Sequence, residues 1–181
     1  MKPIKEMSQA ELAAFVQNHL RSKEIVVILS GGAVVAIYTK GLYVTKDIDL
    51  VNVHFTQRQK IVSAMEEIGF FPVGRHFQHP DSDHVIEFPS GPLTIGSEKV
   101  SDINEIELQT GKLFVLSPID CIKDRLSHYY HWGDQQCLIQ AKMIASNYTI
   151  AIEDIRDWSY REGMEKIFEK IQRLLWPKNH G

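Results

Sequence analysis

The chain is poor in the residues that staple small folds. Only two cysteines, Cys121 and Cys137, occur in 181 residues. That is too few for a disulfide framework, and neither lies in a Cys-x-x-Cys or zinc-finger spacing. Both are expected to be reduced packing residues. An excess of positive charge is also missing, since 20 Lys and Arg face 23 Asp and Glu for a formal net charge of −3. This excludes a protein that wraps nucleic acid by general electrostatics and leaves room only for a local basic groove. No run approaches the ~20 uninterrupted apolar residues of a membrane span. The opening residues Met1 to Ser8 carry no apolar core of a secretory signal. A cytoplasmic protein with no membrane partner is therefore expected. A P-loop, a nucleophile elbow, a His-Glu-x-x-His pair and internal repeats are absent too.

What is present suits one core. Hydrophobic residues make up 44% of the sequence, with only 11 Gly and 7 Pro, enough for a single well-filled unit and too little chain for two ordinary domains. Ser8 and Glu11 have the form of a capping box, and Leu12, Phe15, Val16 and Leu20 recur at helical spacing, predicting a helix from about Gln9 to Arg21. Ile25 to Leu29 reads as a buried strand breaking at Ser30-Gly31-Gly32, followed by a helix over Ala33 to Thr39. Asp47 to Val53 is strand-like. Thr56 is the expected N-cap of a helix carrying Ile61, Met65 and Ile68. Strands are predicted over Phe71 to Phe77 and His84 to Phe88, and a further pair over Ile106 to Leu108 and Leu113 to Leu116. From Ser117, an N-cap followed by Pro118, the rest reads as helices, with three more over Asp134 to Asn147, Ile152 to Arg161 and Met164 to Trp176. Residues 1–116 are expected to form a sheet domain and 117–181 a helical region packed on it.

The most informative feature is Ser30-Gly31-Gly32 at a strand end followed, about fifteen residues on, by Asp47-Ile48-Asp49 opening the next strand. Each part alone is common; the ordered combination asks for a phosphate and a metal. Glycines at a strand-to-helix turn let a ligand approach the backbone, and the helix N-terminus offers unpaired N–H groups to an anion. Aspartates at i and i+2 on a strand share a face. Their mutual repulsion favours a cation between them, and hard oxygen ligands suit Mg²⁺ or Mn²⁺.

This arrangement resembles the signature of the nucleotidyltransferase superfamily typified by DNA polymerase beta: a Gly-Gly or Gly-Ser turn, a helix, then Asp-x-Asp. The segment Ser117 to Leu126, with Tyr129-Tyr130-His131-Trp132 and Asp134-Gln135-Gln136, is similar to a stretch of small bacterial nucleotidyltransferase-like proteins. The resemblance covers roughly residues 25 to 140. It implies an α/β (α+β) fold, a mixed β-sheet flanked by helices with a C-terminal helical region. It also implies a third carboxylate from a later strand. Glu87, an acid inside the apolar run His84 to Phe88, is the best match, ahead of Asp81 and Asp83. A basic residue from the helical region is expected on the triphosphate. Lys123 is favoured and Arg125 comes second, the two lying on opposite borders of the helix stripe.

By that resemblance Asp47, Asp49 and Glu87 are the catalytic and metal-binding residues. Ser30, Gly31, Gly32, Lys123 and Arg125 bind a nucleoside triphosphate, and Glu87 takes the proton of an acceptor hydroxyl. The acceptor classes are a small molecule, a tRNA end or a protein side chain. Two rival readings use the same residues: a catalytically silent nucleotide- or partner-binding module, such as a toxin–antitoxin or regulatory component, and metal-dependent phosphodiester hydrolysis. The cluster His76, His79, Asp81, Asp83 and His84 has no recognised ligand spacing and reads as a solvated loop. His128 and His131 with Trp132 read either as a helix edge or as a base or ribose contact.

Overall fold

The computed structural model describes residues 2–100 and 102–176. The first helix, α1 (Gln9–Ser22), begins with the predicted capping box: the Glu11 amide donates to Ser8 Oγ at 3.3 Å, and the Ser8 amide donates to Glu11 Oε2 at 2.8 Å. Strand β1 (Val27–Ser30) is buried at all four positions, as its continuous apolar run requires. It passes directly into α2 (Gly31–Tyr38), which leads to β2 (Asp47–Asn52), antiparallel to β1. Helix α3 (Arg58–Glu66) follows. Its N-cap is Gln57, not Thr56 as expected. The Thr56 backbone is held by Asn52, which accepts from its amide at 3.0 Å and donates to its carbonyl oxygen at 2.8 Å.

The predicted strand over Phe71 to Phe77 is two, β3 (Phe71–Val73) and β4 (His76–Gln78), folded into a hairpin at Gly74-Arg75, where Gly74 has φ +62°. Strand β5 (Val85–Glu87) pairs antiparallel with β4 and parallel with β2. A two-stranded ribbon unforeseen in the sequence, β6 (Thr94–Ile95) and β7 (Glu98–Lys99), comes next. The hairpin β8 (Ile103–Leu108) and β9 (Gly111–Leu116) turns at Gln109-Thr110. The main sheet has the order β3-β4-β5-β2-β1-β9-β8, so the chain's first strand lies near its centre.

Strands β1 and β9 are parallel but share only the Leu29–Val115 register pair. The gap between them is filled from α1. Buried Gln17 donates from Nε2 to the carbonyl oxygens of Val27 at 3.0 Å and Phe114 at 2.9 Å, and its Oε1 accepts from the Phe114 amide at 2.7 Å. A side-chain amide thus satisfies backbone groups that a closer strand pair would satisfy itself.

The helical region starts with α4 (Pro118–Trp132), capped by Ser117 and ended by Gly133 in the left-handed conformation. Helices α5 (Gln135–Asn147), α6 (Ile152–Arg161) and α7 (Glu165–Leu175) follow. Helix α4 packs on α2, α5, α6 and β6. Trp158 and Phe168 are fully buried in the same core as Leu29, Val34 and Ile48. Cys121 and Cys137 are buried and free. Among the described residues no helix is long and apolar enough to cross a membrane.

Candidate active site

Backbone register alone aligns the key positions. Ser30 is opposite Asp49 across the β1/β2 pair, Asp49 is opposite Glu87 across β2/β5, and Glu87 is opposite His76 across β5/β4. Residues directly opposite in a ladder project from the same face, so Ser30, Asp49, Glu87 and His76 form one row across four strands. Asp47 joins that face from two residues before Asp49.

The glycine turn is built around this row. Gly31 begins α2 with φ +68°, and a Cβ there would collide with the Asp49 carboxylate. Glycine is needed both for the left-handed backbone and for the close approach of Asp49 to the start of the helix. Gly32 makes room for the Tyr43 ring and Thr45, which a Cβ would meet at 3.3 Å. Ser30, the N-cap, is buried, and its Oγ lies 3.5 Å from the Asp49 carbonyl oxygen as a donor.

The electrostatics follow from this crowding. Burial, reinforced by Glu87 and Asp47, pushes the Asp49 carboxyl up to about 6, while Arg125 opposes the shift and Asp124 adds to it. Glu87 is turned toward β4: its Oε1 lies 2.5 Å from His76 Nδ1, without the alignment of a hydrogen bond, and 3.5 Å from Arg75 Nε. Asp47 is exposed. Three hard carboxylates on one face, one of them with its pKa raised first by burial and then by its neighbours, are a donor set that fits Mg²⁺ or Mn²⁺. Among the described residues no three His, Cys, Asp or Glu side chains are gathered around one point, and Glu87 is engaged with His76 and Arg75.

The two basic candidates on α4 have different surroundings. Arg125 is buried and oriented. It donates from Nη2 and Nε to Asp124 Oδ2 at 2.5 and 3.1 Å, and from Nη1 to Gln140 Oε1 at 3.4 Å, and its charge is felt at Asp49. Lys123 lies 3.7 Å from Asp120 and lines a separate cleft of about 280 Å³ with Asp120, Trp158 and Arg161. The site row and Lys123 are thus not brought together, whereas Asp124 and Arg125 are brought to Asp49.

Sequence reasoning placed His76 in a solvated loop and did not single out Arg75 or Asp124. The pairing of His76 with Glu87 needs the Gly74 hairpin, which the continuous Phe71 to Phe77 pattern hides. The expected solvated loop from His76 to His84 is partly structural: the Asp81 amide donates to His79 Nδ1 at 3.0 Å, and the His79 ring packs on Phe70. Trp132 is largely exposed at the end of α4, with the His128 ring 5.2 Å away.

No family model and no curated protein matches the chain. Solved structures do. An antigenic nucleotidyltransferase-like protein from Paracoccidioides brasiliensis superposes with a TM-score of 0.65 at 15% identity, covering 91% of this chain and 88% of its own. ANT(2'')-Ia in complex with adenylyl-2''-tobramycin superposes with a TM-score of 0.55 at 12% identity, covering 91% and 98%. The solution structure of the antibiotic-resistance factor ANT(2'')-Ia gives 0.51 at 11%, covering 92% and 94%. With its mixed sheet, its helical flanks and this coverage, the chain has the nucleotidyltransferase-like α/β fold.

Proposed function

We propose that the protein is a metal-dependent nucleotidyltransferase that moves a nucleoside monophosphate from a nucleoside triphosphate to an acceptor hydroxyl. One observation carries the reading. Asp49 sits between Ser30 and Glu87 in register, with the start of α2 so close that only glycine fits at position 31. Asp47, Asp49 and Glu87 would hold Mg²⁺ or Mn²⁺, which when bound supplies charge neutralisation for the phosphates.

The chain's own residues do the rest. The N–H groups at the start of α2, around Gly31 and Gly32, bind phosphate oxygens. The acceptor oxygen bonds to the α-phosphorus as the bond to the β-phosphate oxygen breaks, and pyrophosphate leaves. Glu87 takes the hydroxyl proton. Arg125, in place of the Lys123 favoured from the sequence, offsets the negative charge around Asp49 and is the basic residue assigned to the triphosphate. A small-molecule acceptor is favoured over a tRNA end or a protein, because a neighbour of this fold was solved with adenylyl-2''-tobramycin.

The second reading, a nucleotide- or partner-binding module without turnover, is favoured by the engagement of Glu87 with His76 and Arg75. The readings separate on products. Incubation with Mn²⁺, α-labelled triphosphates and pools of small-molecule, tRNA or protein acceptors should release pyrophosphate and label an acceptor, and Asp49→Asn should do neither. Triphosphate binding with no pyrophosphate from any pool would instead establish the silent module, and a cleaved strand would establish a nuclease.

A further inference from the structure

On the carboxylate face the strands β2 and β5 run on, in register, past the site. The Asn52–Ser90 bridge continues the Asp49–Glu87 ladder, so Val51 and Pro89, each two residues beyond a site carboxylate, lie on the same face. Together with Leu93 and Leu116 they form the apolar walls of a cleft of about 220 Å³, whose polar wall includes Ser30 and Asp124. The cleft is therefore continuous with the phosphate turn through Ser30 and with the site's charge through Asp124, which acts on Asp49.

Asp124 is presented in a fixed way. Its Oδ2 receives both hydrogen bonds from Arg125, and Arg125 is itself anchored on Gln140 and Cys137. Its Oδ1 accepts no hydrogen bond from the described residues. His128 Nδ1 is 3.9 Å from it and lies 2.9 Å from the Asp124 carbonyl oxygen instead. This half-buried oxygen on the cleft wall is open to accept a hydrogen bond from a ligand N–H.

The cleft is smaller than the roughly 300 to 1,000 Å³ that encloses a whole ligand, so it takes one ring system of a larger molecule. The part of a nucleoside triphosphate with flat apolar faces and a hydrogen-bonding edge is its base. We propose that this cleft receives the nucleobase of the donor, and that Asp124 Oδ1 selects bases carrying an amino group. Adenine, cytosine and guanine are then accepted in preference to uracil, whose edge N–H is flanked by two carbonyls that repel a carboxylate. This inference rests on the nucleotidyltransferase reading.

The test is calorimetric titration of the full chain with CTP and with UTP in Mn²⁺, two probes that differ at that edge. CTP should bind about 10-fold or more tightly than UTP, the scale of a hydrogen bond to a charged group. Asp124→Asn, whose amide serves either base, should close the gap. Equal affinities in the wild type overturn the inference whether or not the variant folds, and so does a gap that persists in Asp124→Asn. Binding of neither CTP, UTP, ATP nor GTP overturns the transferase reading itself, a result distinct from binding without discrimination.

Discussion

Replacing Asp49 by Asn should stabilise the metal-free protein, and only above mildly acidic pH. The folded-state pKa of Asp49 is about 6 against an ordinary 3.8, raised first by burial and then by Glu87 and Asp47. Well below pH 3.8 the carboxyl is protonated in both the folded and unfolded states, and its charge costs nothing. As pH rises, the unfolded chain ionises first and stability falls. Above pH 6 the folded protein carries the full penalty, and the gap between 3.8 and about 6 corresponds to roughly 3 kcal/mol. Asparagine has nearly the same shape and carries no charge, so it removes that penalty. Relaxation of Glu87 and Asp47 makes 3 kcal/mol an upper bound. At roughly 2 to 4 °C per kcal/mol for a chain of this size, the variant should melt up to about 6 to 12 °C higher at pH 8. At pH 4 the two proteins should nearly coincide. Thermal melts by circular dichroism between pH 4 and 8 read this directly. A variant no more stable than wild type at pH 8, or one whose gain is the same at both ends of the range, would refute the picture of a crowded, electrostatically frustrated carboxylate.

Three further substitutions probe the supports of the site. Gln17→Leu strands the Phe114 amide and two carbonyl oxygens in a dry gap between β1 and β9; a loss of about 3 kcal/mol in urea unfolding is expected, and a neutral result would remove the bridging role. Gly31→Ala forces a Cβ into a positive-φ position against the Asp49 carboxylate. It should cost about 2 kcal/mol and abolish pyrophosphate release, whereas wild-type turnover would show that the close approach is dispensable. Arg125→Met leaves the half-buried Asp124 without its partner and removes the cation that acts on Asp49. Destabilisation of about 3 kcal/mol in guanidinium unfolding is expected, and a change under about 0.5 would show the pair to be a surface ornament.

Much of this arrangement was legible in the sequence wherever a local rule suffices. The capping box at Ser8 and Glu11, the Ser117-Pro118 start of α4, and the strand-turn-helix at Ser30 to Gly32 are set by neighbours within one helical turn, and all are found. The aspartates fall on one face because strand alternation is local as well. What escaped the sequence depends on partners far along the chain. Two-residue strands such as β6 and β7 show no period, so nothing in Thr94 to Lys99 marks them. The split of Phe71 to Phe77 at Gly74 is masked by apolar residues on both sides of the turn. Thr56 is a good capping residue in isolation, but Asn52 already holds its backbone. On α4 the helical wheel separates Lys123 from Arg125; only the packing of α4 against α2 and α5 shows which one lies near Asp49. His76 and Asp124 enter the site through strand register and helix docking, neither of which leaves a spacing in the sequence.

The central claim, that Asp49 anchors a metal-dependent triphosphate site, is tested most directly by thermal unfolding in Mn²⁺ with each of the four nucleoside triphosphates, comparing wild type with Asp49→Asn and each against its own ligand-free baseline. At about a hundred times its Kd a ligand adds about 2.7 kcal/mol. The wild type should therefore melt several degrees higher with at least one triphosphate, only when metal is present, and Asp49→Asn should lose that shift. No shift with any triphosphate, or one that survives in Asp49→Asn, would contradict the account.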